Sequence, residues 1–442
     1  MQKTKKVSLV WFRNDLRTVD NAVLAEACQN SDYVVGIYCF DLRLFQVNTF
    51  GFKKTEKFRA KFLIETIQNL KSQLDALNID LLVYHDLPET VIPEVCETYN
   101  ISNIYLQKEW TQEELDIEKA LVAEVLEATN NSHKNIHFHS IYNQFLYHPK
   151  DINFEVTKTP QVFTVFRKKL EKYIPIREEI QTEKQPEENR INNNTSIPSL
   201  SELGFEEFEV HPHSAFPFKG GETEALNRLE DYFFNTKKLG FYKKTRNGLM
   251  GVDYSSKFSP WLANGSISAR TIYHKVRQFE REHFKNQSTY WLIFELIWRD
   301  YFKYVSMKHG NQIFKLEGIL QKDYEWSKNQ NQINKWINGE TYSDFVNANM
   351  IELKETGWMS NRGRQNVASY FAKELELDWR IGASYFESLL IDYDVHSNYG
   401  NWMYVSGVGN DPRDRKFNVQ LQAERYDTNG KFRKLWLQPS LF

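Results

Sequence analysis

With 442 residues the chain is long enough for two or three separate cores, which excludes a single small module. No apolar run approaches the ~20 residues of a membrane helix, the opening MQKTKK leads into a strand-like run rather than an apolar signal core, and three cysteines (Cys28, Cys39, Cys96) without zinc-like spacing are too few for a disulfide framework. A soluble, cytoplasmic monomer with no membrane partner and no metal site is expected.

The first 140 residues alternate apolar runs (VSLVWF, VVGIYCF, IDLLVY, NIYL, NIHFHSI) with helical stretches at 57–77, 90–99 and 113–128. Strands separated by helices of that length predict βαβ units and a doubly wound parallel sheet. The first strand is not followed by G-x-G-x-x-G, which disfavours ordinary dinucleotide binding there. Residues 141–221 lose the apolar period in text such as EEIQTEKQPEENRINNNTSIPSL and read as an interdomain linker. From 222 to 442 the pattern is helical, as in TIYHKVRQFEREHF, STYWLIFELIWRDYFKYV and RQNVASYFAKEL, and an all-α second domain follows.

Net charge is only −2, but it is unevenly spread. Thr236–Gly310 carries 14 Lys plus Arg against 5 Asp plus Glu, whereas Glu178–Glu230 carries 12 acids against 4 bases. The basic stretch suits phosphates through counterion release, although a solvated helical surface gives the same composition. Nine of the 11 tryptophans lie at or beyond Trp261, which marks the second half as chemically distinct.

The stretch from Asn361 to Tyr404 sets Arg364 ahead of a helix and Asp392, Asp394, Asn398 and Trp402 in a later turn and helix. A buried Arg364–Asp392 pair is costly unless a polar network or ligand surrounds it; a heteroaromatic cofactor is one such ligand, and a purely structural pair is the alternative. NRxR, DWR, IDxDxxSNxGNW and the closing Y-D-x-x-G-x-F-x-x-x-W-L, together with VWFRNDLRTVDNAVLAEA at the front, resemble the photolyase and cryptochrome superfamily over nearly the whole chain. TRNGLMGVDYSSKFSPWLANGSIS, Tyr404 in place of a second tryptophan, and GNDPRDRKFN resemble its DASH branch.

That resemblance implies an FAD-binding helical domain behind an α/β antenna domain. It assigns Ser255, Ser256 and Ser259 to the FAD phosphates with Tyr242 nearby, and Asp392, Asp394, Asn398, Arg364 and Asn361 to the flavin pocket. Trp402, Trp379 and Trp326 fall at the positions of the family's electron relay, for which core packing is the plain alternative. Glu295 and Trp298, one helical turn apart, match the residues that contact a pyrimidine dimer in photolyases. Glu109 matches a glutamate that binds a methenyltetrahydrofolate antenna, and an exposed loop acid is its other reading.

The implied activity is of the deoxyribodipyrimidine photolyase type: blue-light repair of cyclobutane dimers, chiefly in single-stranded DNA, with undamaged DNA as a further partner. A blue-light photoreceptor with little repair is the alternative, and the short stretch after Leu437 leaves no usual signalling tail. Asn361 and Gln365 stand where pyrimidine-pyrimidone photolyases carry histidines, so that specificity is not expected. Tyr342, Asp344 and Asn347 replace Gly, Pro and Asp in a loop expected on the substrate side, and His396 replaces a small residue as a titrating neighbour of the flavin.

Overall fold

A computed structural model describes residues 5–130 and 135–438; Met1–Thr4, the start of the basic opening, lie outside the described residues. Strands β1 (Val7–Trp11), β2 (Tyr33–Cys39), β3 (Leu81–Tyr84), β4 (Asn103–Gln107) and β5 (His137–Ile141) form one parallel sheet in the order β3-β2-β1-β4-β5. Val10 stands opposite Gly36 on one side and Tyr105 on the other. Strand residues alternate between two helical layers: Leu9, Trp11, Val35 and Ile37 pack under α3 (Pro88–Thr98) and α4 (Gln112–Asn130). Val10, Phe12, Val34 and Tyr38 pack under α1 (Ala22–Asn30) and α2 (Lys57–Ala76). Both faces are covered, which explains why these strands read as near-continuous apolar runs. The strand order reverses between β1 and β4, and in such sheets the crevice beyond the strand ends at that point is where ligands bind.

The remainder is helical: α5 (Phe163–Tyr173), α6 (Glu222–Glu230), α7 (Tyr242–Thr245), α8 (Ser259–Ala263), α9 (Ala269–Glu282) and α10 (Gln287–His309) come first. Then follow α11 (Gln330–Asn338), α12 (Asp344–Thr356), α13 (Asn361–Ser369), α14 (Trp379–Leu389), α15 (Val395–Ser406), α16 (Val419–Tyr426) and α17 (Lys431–Leu437). The 141–221 stretch carries α5 and sends Phe145, Phe163, Phe166 and Phe216 into the helical core. Its aperiodic part is fixed by side chain to backbone pairing instead of a buried stripe. Asn189 donates to the carbonyls of Val34 and Asn78 and accepts from the Val34 N–H at 2.7 Å.

The loop after β1 clasps the two halves together. Arg17 donates to the carbonyls of Asp20, Asn143 and Gly265, Asp20 pairs with Arg270 at 2.7 Å, and Glu222 accepts the N–H groups of Thr18 and Val19. Gly265 has φ +75°, and a Cβ there would fall 2.1 Å from the Asn14 carbonyl oxygen, so only glycine permits this approach.

Candidate functional site

Helix α10 starts on a capping box at Asn286, whose side chain accepts from the Ser288 and Thr289 N–H groups while Thr289 reaches back. One turn apart on it, Glu295 and Trp298 open into a cavity of about 430 Å³ with Arg246, Tyr404 and Arg415. Arg246 Nη1 stands 3.0 Å from Glu295 Oε1. Burial raises the Glu295 carboxyl above its usual value, against the pull of Arg246. Trp298 stacks on Phe163 with centroids 3.7 Å apart and meets Tyr404 edge-on at 6.0 Å.

Two further cavities adjoin this one, and Asn361 and Ser397 line all three. The first holds Tyr242, Ser255, Ser256, Ser259, Arg364 and Asp392. Arg228 holds the backbone carbonyls of Ser255 and Ser256 at 3.2 Å, fixing the serine loop. The second holds Asp392, Asp394, Asn398 and Trp402. Asp394 caps α15 by accepting the Ser397 N–H at 2.8 Å, and its other oxygen accepts from Lys303 Nζ at 3.0 Å. Burial alone would raise the Asp394 carboxyl, but Lys303, Arg299 and the Ser397 N–H outweigh it and hold it far below the usual carboxylate range.

Several groups here are left for a ligand. Asp392 Oδ1 lies 2.9 Å from Arg364 Nη2, yet is buried without a well-aligned hydrogen bond. Asn398 donates to the Ala383 carbonyl at 2.9 Å, and its acceptor oxygen faces no donor of the described residues. This donor and acceptor set, free carboxylate and amide oxygens beside hydroxyls on a fixed loop, fits a flavin with its ribityl and diphosphate groups.

A cavity of about 590 Å³ lies between the halves, beyond the ends of β1 and β4, lined by Asn14, Gln107, Glu109, Lys303, Asp394 and His396. Glu109 is buried, not an exposed loop acid: Gln107 Nε2 donates to it at 2.7 Å, and burial pushes its carboxyl up to about 7. Among the described residues no His, Cys, Asp and Glu cluster could hold a metal ion.

The profile described as "FAD binding domain of DNA photolyase" matches residues 291–441, and "DNA photolyase" matches residues 8–187. The chain is 44% identical to a cryptochrome DASH of Synechocystis sp., over 99% of this chain and 88% of that protein. It is also 44% identical to a cryptochrome DASH of Xenopus laevis, over 98% of this chain and 82% of that one. The chain belongs to the cryptochrome DASH family. The crystal structure of a Synechocystis sp. cryptochrome superposes with a TM-score of 0.92 at 44% identity, covering 99% of this chain and 89% of that one. Both the α/β plus helical architecture and the FAD-binding character of the helical half are thus established.

The tryptophans expected as a relay sit on neighbouring elements. Trp402 packs on Gly382 of α14, Trp379 opens that helix, and Ser327, next to Trp326, bridges to Leu377 just before it. Trp402 also meets Phe386 at 5.1 Å, Phe371 at 5.9 Å and a further tryptophan, Trp336, at 6.3 Å, which the sequence did not single out. His396 departs from expectation. It stacks on Trp110 at 4.7 Å, shares a hydrogen bond with Ser306 at 2.8 Å and lines the cavity between the halves. Burial, with help from Lys303, holds it far below its ordinary value, so it stays neutral and does not titrate beside the flavin. The altered loop is tied by its new residue: Asn347 Oδ1 accepts from the Thr341 N–H at 2.8 Å and from its hydroxyl at 2.6 Å, while Tyr342 is 98% exposed. It lines a separate groove that meets the Glu295 cavity only at Phe417. Lys303 lines the site outside every motif, and Arg246 and Ser397 lie inside motifs that gave them no role.

Proposed function

We propose that this protein is a blue-light repair enzyme of the photolyase type, acting on cyclobutane pyrimidine dimers chiefly in single-stranded DNA. The observation that carries the reading is the Glu295 and Trp298 cavity opening onto the flavin cavities through Asn361 and Ser397. Bound FAD, reduced and excited by light, would lend an electron that splits the cyclobutane ring and would recover it from the separated bases, so nothing is consumed.

The residues of the chain do the rest. Asp392, Asp394, Arg364 and Asn398 orient the isoalloxazine and ribityl groups, and Ser255, Ser256 and Ser259 with Tyr242 and Asn361 hold the remainder. Glu295, raised by burial and steadied by Arg246, donates or accepts at the polar edge of a damaged base, and the Trp298 and Tyr404 rings wall its apolar side. Single strands suit such a site because an unpaired dimer avoids the few-kcal/mol cost of extrusion. Lys243, Lys244 and Lys285 of the basic segment make no ion pair with the described residues, and so remain open to phosphates of damaged or undamaged strands. Should the flavin become oxidised, Trp402, Trp379 and Trp326 would pass it an electron from a reductant in solution, and the Glu109 cavity would take a methenyltetrahydrofolate antenna.

A photoreceptor with little repair has one observation in its favour: Phe163 covers one face of Trp298 at 3.7 Å. A dimer-containing single-stranded oligonucleotide under blue light with reductant separates the two. Loss of dimers, reduced about tenfold in Glu295→Ala through one lost hydrogen bond, is expected of the enzyme. Flavin-loaded protein that leaves dimers intact would refute it and leave the receptor.

A further inference from the structure

Two buried ionisable groups near the serine loop have no partner. Lys257 is 2% exposed and Glu352 is 1% exposed, and Lys257 Nζ and Glu352 Oε2 both lack a hydrogen bond. An isolated buried charge is costly enough that such groups normally neutralise or find a counter-charge. Lys257 stands between Ser256 and Phe258 with φ +66°, a left-handed conformation that costs a residue with a Cβ ~1–2 kcal/mol. Strain of this kind gathers where a ligand is held.

The surroundings of Lys257 pull in two directions. Its Nζ lies 3.3 Å from the centre of the Tyr254 ring and 4.6 Å from that of Trp358, and Trp358 Nε1 donates to the Tyr254 hydroxyl at 3.0 Å, so the cage is rigid. Aromatic faces favour the ammonium form, while burial favours the neutral amine. The charged groups facing it are Glu352 from α12, Arg228 from α6, Arg364 from α13 and Asp392 from the turn before α15. Arg228 is already engaged by Asp231 and Asp253, and Arg364 by Asp392. Glu352 is therefore the counter-group left for Lys257. Burial pushes the Glu352 carboxyl up to about 8 and holds the Lys257 amine well below its usual value. Buried and without hydrogen-bond partners, the Lys257 amine and the Glu352 carboxyl are each favoured in the neutral form.

We propose that Lys257 and Glu352 are a buried proton-holding pair that takes up a second proton when the diphosphate of the dinucleotide is bound beside the serine loop. The inference rests on the flavin reading of that cavity. The proton comes from solvent and ends as an N–H bond on Nζ while the Glu352 O–H is kept; no electrons move. Added positive charge behind the loop offsets the negative charge arriving in front of it, and retention of the cofactor falls as pH rises.

Release of FAD from the full chain, followed by flavin fluorescence between pH 7 and pH 9, tests this, with riboflavin as the probe that lacks phosphates. One linked proton gives up to about tenfold weaker binding per pH unit. FAD is expected to show that fall and riboflavin not. Lys257→Met should weaken FAD binding at pH 7 and flatten its pH dependence, while Glu352→Gln, isosteric with the protonated carboxyl, should keep the fall. FAD affinity that is flat with pH, a riboflavin trend equal to that of FAD, or a trend abolished in Glu352→Gln overturns the proposal even if Lys257→Met fails to fold. Failure to bind any flavin overturns the functional reading, and the pair with it.

Discussion

Lys303 Nζ stands 3.0 Å from Asp394 Oδ2, and Asp394 lines both the flavin cavities and the cavity between the halves. One ion pair thus stands between the cavities of the helical half and the cavity between the halves. With side chains 4% and 12% exposed, both partners have left bulk water. The pair survives because Asp394 also caps α15, so its charge is met by a backbone N–H as well as by an ammonium.

Removing one partner leaves the other charged and buried. Lys303→Met is expected to destabilise the protein by about 3–5 kcal/mol, and Asp394→Asn added to it to recover part of that loss. Thermal unfolding of the single and double variants checks the sign. Equal melting temperatures for Lys303→Met and the unaltered chain would show that Asp394 has no need of the lysine. Flavin content should fall in the same order, because the turn carrying Asp392 and Asp394 also shapes the flavin cavity.

The Glu109 carboxyl carries a pH signature. Burial pushes it up to about 7, so it is neutral below that point and ionised above it. A pterin presents N–H donors, which an ionised carboxylate accepts better than a protonated one. Folate binding is therefore expected to strengthen as pH rises from 6 to 8, and Glu109→Gln to be weaker and flat over the same range. The near-ultraviolet antenna band measured against added folate reads this directly; a trend retained in Glu109→Gln would place the titrating group elsewhere. The same raised value acts on stability with the opposite sense. Between the unfolded value near 4.5 and about 7, the unfolded chain ionises first, so folding loses stability as pH climbs through that window.

Strands and helices were legible in the sequence because each has its own local period. The pattern VSLVWF is a strand that both helical layers bury, and STYWLIFELIWRDYFKYV is a helix whose cap, Asn286, stands just ahead of it. Site residues were legible only where a family motif named them. Lys303 and Asp394 are 91 positions apart, and neither local pattern demands the other. Phe163 sits in a stretch without apolar period, yet it stacks on Trp298, since a single aromatic anchored by neighbouring backbone can enter a core without a repeat around it. His396 misled for a related reason. Its position in the motif suggested the flavin pocket, whereas the first turn of α15 aims it at Trp110 and the other cavity.

Trp402 offers the most selective probe of the relay. Its Nε1 is buried without an acceptor, so Trp402→Phe sacrifices ring volume but no hydrogen bond, and a cost of no more than about 1–3 kcal/mol is expected. Flavin photoreduction should nevertheless slow severalfold, because phenylalanine is far harder to oxidise than an indole. Gly382 supplies an independent approach: a Cβ there would fall 2.3 Å from Trp402 Cη2, so Gly382→Ala displaces the indole without changing its chemistry. Both variants are expected to retain bound flavin and to photoreduce slowly, read by the loss of the flavin absorption bands under blue light. Unchanged rates in both would reassign Trp402 to packing, with Trp336 at 6.3 Å the ring to replace next.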